Sequence, residues 1–370
     1  MLIIITCVNE IKVPMAKPAF EQEEIDGIIE VVKSGWLGLG KITEQFENDL
    51  SEYLNTNVVT VNNGSLATMC ALLAHDIKPG DKIAVPDFTF ISTASVPKIM
   101  GASIIPVDID PDTFNIDLDS LEKVVSKNNV KMTIFVDIAG LSNDIDRLTT
   151  LSKKYNFLLL EDAAEAIGSK YKNKKLGSFD HTSFFSFHIA KLITTVEGGC
   201  ITTNNIEFAK KLKAIRDLGR YKTGYIHDLI GTNFRITDIQ SVIGLNQLKK
   251  AEKFISRRTE IAKRFRNEIK NLTFQQIPDY ATRHTYMLFF VKTKDQQMRD
   301  LYVTKLREKG IDARLSFYPI HLQPCNPELR IYDCPNSKNV YNTVFTLPMY
   351  NSLTDVDVDL IIKTCNEISI

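Results

Sequence analysis

An α/β fold built on a mostly parallel sheet is predicted by two observations. Between residues 58 and 205, short apolar runs alternate with stretches of helical periodicity, the order expected of β-α-β units. The runs are also continuous rather than alternating, as strands buried on both faces require. Seven strands are expected, at 58–61, 82–85, 104–107, 132–136, 157–160, 183–187 and 200–203. Helices are expected between them at 65–74, 92–100, 118–126 and 145–155. Residues 220–232 read as a loop able to move, and 237–271 as one long helical stretch leading from the sheet to a second unit. That unit begins with a strand at 286–291 and a helix at 297–309. A strand Gly310-Ile311-Asp312-Ala313-Arg314 and a last helix capped by Thr354 complete it.

The composition, 44% hydrophobic and 24% charged over 370 residues, is that of a globular protein long enough for two domains. Lys and Arg total 45, as do Asp and Glu, so no net field draws the chain to nucleic acid or to an anionic membrane. The apolar start, Met1 to Val8, lacks the basic flank and length of a signal sequence, and no run reaches the roughly 20 apolar residues of a membrane span. Six scattered cysteines without a C-x-x-C pair read as reduced thiols, not as a disulfide frame or a metal site, and the expected location is the cytoplasm.

The chemistry concentrates around Lys191. It lies in Ser186-Phe187-His188-Ile189-Ala190-Lys191-Leu192-Ile193-Thr194-Thr195-Val196-Glu197-Gly198-Gly199, downstream of a strand ending in Glu161-Asp162. Ligands of open parallel sheets sit beyond the carboxyl ends of the strands, where Asp162 falls. A lysine able to form an imine and an aspartate able to keep a pyridinium protonated are the protein half of pyridoxal phosphate (PLP) chemistry. The plainer alternatives are that Asp162 caps a helix starting near Ala163 and that Lys191 is a surface lysine. Against the latter stand its Ser, Thr and Gly neighbours and a second phosphate-friendly turn, Asn62-Asn63-Gly64-Ser65, where a strand runs into a helix N-terminus.

These stretches, with Glu161-Asp162-Ala163-Ala164-Glu165-Ala166-Ile167-Gly168, resemble the DegT/DnrJ/EryC1/StrS aminotransferases. The resemblance extends over almost the whole chain, through Pro86-Asp87-Phe88-Thr89-Phe90, Asn233-Phe234-Arg235 and Tyr318-Pro319-Ile320-His321. It implies a fold-type I PLP aminotransferase, with a large PLP-binding domain over 1–250 and a smaller C-terminal α/β domain over 251–370. The first ~20 residues would pack with the smaller domain. It further implies a homodimer with shared active sites. Lys191 and Asp162 would be catalytic and would hold PLP together with Glu165, Gly64, Ser65, Phe90, Ser186 and Asn233, the last reaching the partner's phosphate. His188, His321 and Tyr318 would touch substrate. The implied reaction moves an amino group from L-glutamate to a keto group of a nucleotide-linked sugar, of the 4-keto-6-deoxy or 3-keto kind, for surface polysaccharide or glycan synthesis.

Three departures bear on the substrate pocket. Glu165 stands where Gln or His is frequent, Val196 where Gly is usual, and Asp137-Ile138-Ala139-Gly140 where His-Leu-Tyr-Gly is common. An aminotransferase for a small keto substrate, a PLP-dependent sugar dehydratase and a non-catalytic binding protein are the competing readings. Similar dehydratases carry His at the lysine position, so Lys191 disfavours that one. Finally, Gly35-Trp36-Leu37-Gly38-Leu39-Gly40-Lys41 has the spacing of a nucleotide-binding P-loop, but Ile42 follows, without a hydroxyl for Mg²⁺, and a helical pattern precedes it.

Overall fold

The computed structural model describes residues 10–222 and 224–368. The apolar N-terminal stretch and Cys7 lie outside the described residues. Two helices, α1 (Gln22–Ser34) and α2 (Lys41–Leu54), precede a seven-stranded sheet. Its strands are β1 (Asn57–Val61), β2 (Lys82–Pro86), β3 (Ser103–Val107), β4 (Val130–Val136) and β5 (Leu158–Asp162), and, after a hairpin of β6 (Lys170–Tyr171) with β7 (Lys174–Lys175), β8 (Thr182–Ser186) and β9 (Gly199–Thr203). The order is β1-β9-β8-β5-β4-β2-β3, and β9 alone runs against the rest. All seven anticipated strands are present.

Neighbouring residues serve opposite faces. Val58, Phe135, Leu159 and Phe185 join one core, while Val59, Ile134, Leu160 and Phe184 join the other. Burial on both faces is what makes adjacent positions in these runs apolar. Helices α3 (Gly64–Ala74), α4 (Ser92–Ile99), α5 (Leu118–Lys127), α6 (Ile145–Tyr155) and α7 (Ile206–Arg216) follow their strands. Asn63, Asp117, Asp144 and Asn205 accept first-turn N–H groups and so fix where α3, α5, α6 and α7 begin.

The stretch expected as one helix is two, α8 (Asp238–Lys249) and α9 (Ala251–Glu268). The break at Lys250 has no Gly or Pro; its ammonium pairs with Glu21, Glu23 and Glu24 at the start of α1. Beyond it, β10 (Thr273–Phe274), β11 (Phe289–Lys292), β12 (Arg314–Leu315) and β13 (Val344–Leu347) form an antiparallel sheet ordered β10-β11-β13-β12. It is accompanied by α10 (Gln296–Glu308), α11 (Pro335–Thr343) and α12 (Asp355–Glu367), the last opened by a capping box on Thr354. The strand expected from 286 starts at Phe289, because Tyr286 takes a left-handed turn and stacks on His284. Of the expected 310–314 strand only Arg314 enters the sheet, while Ile311 bridges to Val13. Residues 220–222 and 224–232 are irregular, as expected of a loop. No helix among the described residues is long and apolar enough to cross a membrane.

Candidate active site

The site lies at the carboxyl ends of β5, β8 and β2. Strand β5 ends in buried Asp162. No helix starts at Ala163, so the simple capping alternative fails; instead Asp162 Oδ1 accepts the Ala164 N–H in a turn at 3.2 Å. Its Oδ2 accepts the Thr93 hydroxyl at 3.0 Å, and Thr93 in turn contacts Thr89 at 3.2 Å. Burial lifts the Asp162 carboxyl from near 3.8 to about 6; the Ala164 N–H, the Thr93 hydroxyl and Lys191 oppose the rise, and Glu165 adds to it. A buried carboxyl in this balance is completed by a cationic partner. A pyridinium nitrogen meets that requirement.

Lys191 Nζ lies 3.5 Å from Glu165 Oε1, and both side chains are largely buried. The other oxygen of Glu165 accepts the Ala139 N–H at 2.7 Å. Ala139 has φ 59°, and this left-handed turn aims its N–H at the carboxylate. Thus the departure at Asp137 to Gly140 feeds a backbone donor into the site, which the sequence did not show.

Ser186 and Gly64 are neighbours. A Cβ built on Gly64 would stand 3.0 Å from Ser186 Cβ, so the glycine admits the close approach. Asn63 caps α3 by accepting from Leu66 N–H, which leaves the Gly64 and Ser65 N–H groups at the helix start outside the helical ladder. The hydroxyl of Ser186 and this N-terminus form a phosphate-sized cradle. Phe90, in the loop between β2 and Thr93, is 59% exposed and presents a free aromatic face. The residues present therefore fit PLP.

The remaining candidates are placed as follows. His188 is half-exposed, with Nε2 3.8 Å from Glu197. Tyr318 is partly exposed and packs edge-on against Tyr341. Asn233 is exposed, accepts from Arg235 N–H, and bridges to Asp217. His321 is buried, with its backbone N–H and Nδ1 both bonded to Asp87 at 2.8 and 2.6 Å. Cys334 joins this pair, the three ligand-type atoms lying within 4.8 Å of one another. Thr93 and Ala139 were missed by sequence reasoning. For Thr93 a signal existed, since a hydroxyl in the first turn of the helix after β2 can face a neighbouring strand end.

A largely buried lysine beside a carboxylate, a buried strand-end aspartate and a phosphate cradle on a mostly parallel sheet define a PLP-dependent aminotransferase of fold type I. The chain belongs to the DegT/DnrJ/EryC1/StrS aminotransferase family, whose model matches residues 18–366. It is 33% identical over 358 residues to GDP-perosamine synthase of Escherichia coli O157:H7, covering 96% of this chain and 98% of the relative. It is 32% identical over 381 residues to the spore coat polysaccharide biosynthesis protein SpsC of Bacillus subtilis, covering 96% of each. Among solved structures it is similar to Helicobacter pylori PseC, an aminotransferase involved in the biosynthesis of pseudoaminic acid. That match has 28% identity and a TM-score of 0.89, over 95% of this chain and 98% of the other.

Proposed function

We propose that this aminotransferase moves the amino group of L-glutamate to a keto group of a nucleotide-linked sugar, of the 4-keto-6-deoxy or 3-keto kind, for surface polysaccharide or glycan synthesis. The observation that carries the transfer chemistry is the grouping of Lys191, Glu165 and Asp162 beyond the carboxyl ends of the central strands. The sugar substrate is supported by the relatives, a perosamine synthase and a polysaccharide biosynthesis protein among them.

Bound PLP supplies the electron sink for the carbanion left at the donor's α-carbon. Asp162 keeps a proton on the ring nitrogen. Lys191 would hold the cofactor and its Nζ would carry the proton of the donor carbon, with Glu165 beside it to orient it. Phe90 would lie against the ring, while Ser186, Gly64 and Ser65 would hold the phosphate. Asn233 extends to the phosphate in the partner subunit. His188 and Tyr318 border the substrate; His321, bound to Asp87, holds the Tyr318 segment against the end of β2.

Several observations support the rest of the reading. Exposed Ile25, Ile29 and Val32 follow α1 at helical spacing and offer an apolar stripe to a second copy. The division into 1–250 and 251–370 fits the two separate sheets, and Val13 joins the C-terminal core. Four buried free cysteines, Cys70, Cys200, Cys334 and Cys365, suit a cytoplasmic enzyme.

Lys191→Ala is expected to abolish turnover and the absorbance of lysine-linked cofactor; normal rates would end the reading. Incubating the aminated enzyme with keto-sugar nucleotides and with small keto acids, under mass detection, separates the sugar reading from its small-substrate alternative.

A further inference from the structure

Two carboxylates with no part in the chemistry above meet beneath it. Glu161 precedes Asp162 at the end of β5 and pairs in register with Phe135 of β4. Asp137 stands two residues beyond Phe135, so its side chain emerges on the face that carries Glu161. Both acids are fully buried, and Asp137 holds the place where His is common in similar sequences. Where a base is common, this chain sets an acid against an acid.

Each has one oxygen engaged and one bare. Glu161 Oε2 accepts from Gly177 N–H at 3.0 Å and from the Ser183 hydroxyl, and lies 3.2 Å from His181 Nε2. Asp137 Oδ1 accepts from Asn143 N–H at 3.1 Å and from the Asn143 amide at 2.9 Å. Glu161 Oε1 and Asp137 Oδ2, both sealed from solvent, meet no N–H or hydroxyl donor among the described residues. The two side chains bond to each other instead. Two carboxylates can do so only through a proton that one of them carries. The surrounding donors decide which. Burial opposes the charge of Glu161, but the bonds from His181 and Ser183 keep it below the ordinary carboxylate range. Burial, and then the Glu161 charge, hold Asp137 well above that range. Asp137 is the acid and Glu161 the acceptor.

The loop after Asp137 ties this proton to the site. Asn143 folds back on Asp137 Oδ1 and also donates to Val136 O at 2.8 Å, while Gly140 N–H donates to Asp137 O at 3.0 Å, so Asp137 closes the turn 137–143. Within that turn Ala139, in its left-handed conformation, gives its N–H to Glu165 beside Lys191. Asp137 N–H also donates to Asp162 O at 3.1 Å.

We infer that Asp137 and Glu161 share a single buried proton, and that Asp137, its carrier, is a positioning residue that sets the Ala139 turn against Glu165 and so the surroundings of Lys191. The second part rests on the roles proposed above for Lys191 and Glu165; the first does not, and its tests need no turnover. The infrared difference between wild-type and Asp137→Asn holoenzyme at pH 8 is expected to show a carboxylic-acid C=O band that shifts in D2O; its absence overturns the shared proton. Asp137→Asn and Glu161→Gln each put one amide N–H2 where the proton was. The double variant sets two N–H2 groups against each other, because both amide oxygens are already engaged. Its urea midpoint should fall by more than the two single shifts together, and additive shifts overturn the pairing. For the positioning role, folded Asp137→Ala enzyme should lose kcat about tenfold with little change in KM, and the absorbance of its lysine-linked cofactor should shift. Asp137→Asn should show neither change. Asn143→Ala, which frees the far end of the same turn, should reproduce the shift and tests the role if Asp137→Ala does not fold. In a Glu165→Gln background, where the Ala139 N–H meets no carboxylate, Asp137→Ala should move the absorbance no further. Wild-type rate and absorbance in both alanine variants, or an equal second shift in the Glu165→Gln background, overturn the positioning role.

Discussion

Buried Arg258 and half-buried Asn351 form a pair, Nε to Oδ1 at 2.7 Å, through which the C-terminal region holds the lysine loop. Asn351 donates from its amide to Leu192 O, the residue after Lys191, at 3.0 Å. Arg258 also donates to the carbonyls of Tyr286 and Met287, and Met287 N–H donates to Ala139 O. Ala139 is the residue whose N–H fixes Glu165. The two partners of the 3.5 Å Lys191 to Glu165 contact are thus set by one arginine, which burial pushes down to about 9 and which stays charged at neutral pH.

Asn351 is therefore expected to matter twice. Asn351→Ala strands Arg258 Nε and frees the lysine loop, costing about 1 to 3 kcal/mol in denaturant unfolding and lowering kcat more than it raises KM. Asn351→Asp separates the effects. It pairs with Arg258 but cannot donate to Leu192, so much of the stability should return while kcat stays low. Equal recovery of both would place the arginine, not the loop contact, in control of rate.

Asp162 gives the cofactor-free protein a pH dependence of defined sign. Its folded value, about 6, exceeds the unfolded value near 3.8, so the group stabilises the fold fully below 3.8 and that contribution is lost as the pH climbs through 6. A rise of this size is worth about 3 kcal/mol. Asp162→Asn removes the titration. The stability of the cofactor-free variant relative to wild type should rise between pH 4 and pH 7.5, while turnover of the loaded variant falls steeply. A urea-midpoint difference that is the same at both pH values would show that the carboxyl is not buried in this way.

Val196 occupies a left-handed position, φ 71°, and is half-exposed. Its N–H is held by the Thr194 hydroxyl at 2.9 Å. A β-branched residue is strained there, and the position suits the glycine usual in similar sequences. Val196→Gly is expected to stabilise the enzyme by about 1 kcal/mol. A lower thermal midpoint would mean that the valine side chain makes contacts that outweigh the strain.

What the sequence reveals depends on whether a signal is local. The seven strands were legible because residues such as Phe184 and Phe185 are buried on opposite faces, so adjacent positions are apolar instead of alternating. Lys191 and Asp162 were legible because Asp162 ends an apolar strand and Lys191 follows another among small, polar neighbours. The hold of Asn351 on Leu192 joins residues 159 apart and leaves no periodic trace. The same applies to Lys250 at the helix break, whose ammonium pairs with acids more than two hundred positions earlier. For His321, expected to touch substrate, the motif shows the imidazole but not Asp87, to which the fold ties it.

The Gly-rich segment shows how one carboxylate changes the meaning of a motif, and it supplies the last prediction. Asp238 is buried at the start of α8, yet its oxygens cap α2 by accepting from Gly40, Ile42 and Thr43. Thr43 also reaches Ser241 at 2.8 Å, so the two helix starts are locked in register. Removing the carboxylate orphans several buried donors at once. Asp238→Ala should therefore cost about 2 to 4 kcal/mol, more than a single surface cap. Asp238→Asn offers the same acceptor oxygen at one position only and should fall between the alanine variant and wild type. Because the α2 cap supports the turn carrying Trp36, both variants should also broaden or red-shift the single-tryptophan emission before unfolding begins. An unchanged emission spectrum in a destabilised Asp238→Ala protein would show that the Trp36 turn keeps its shape without the cap.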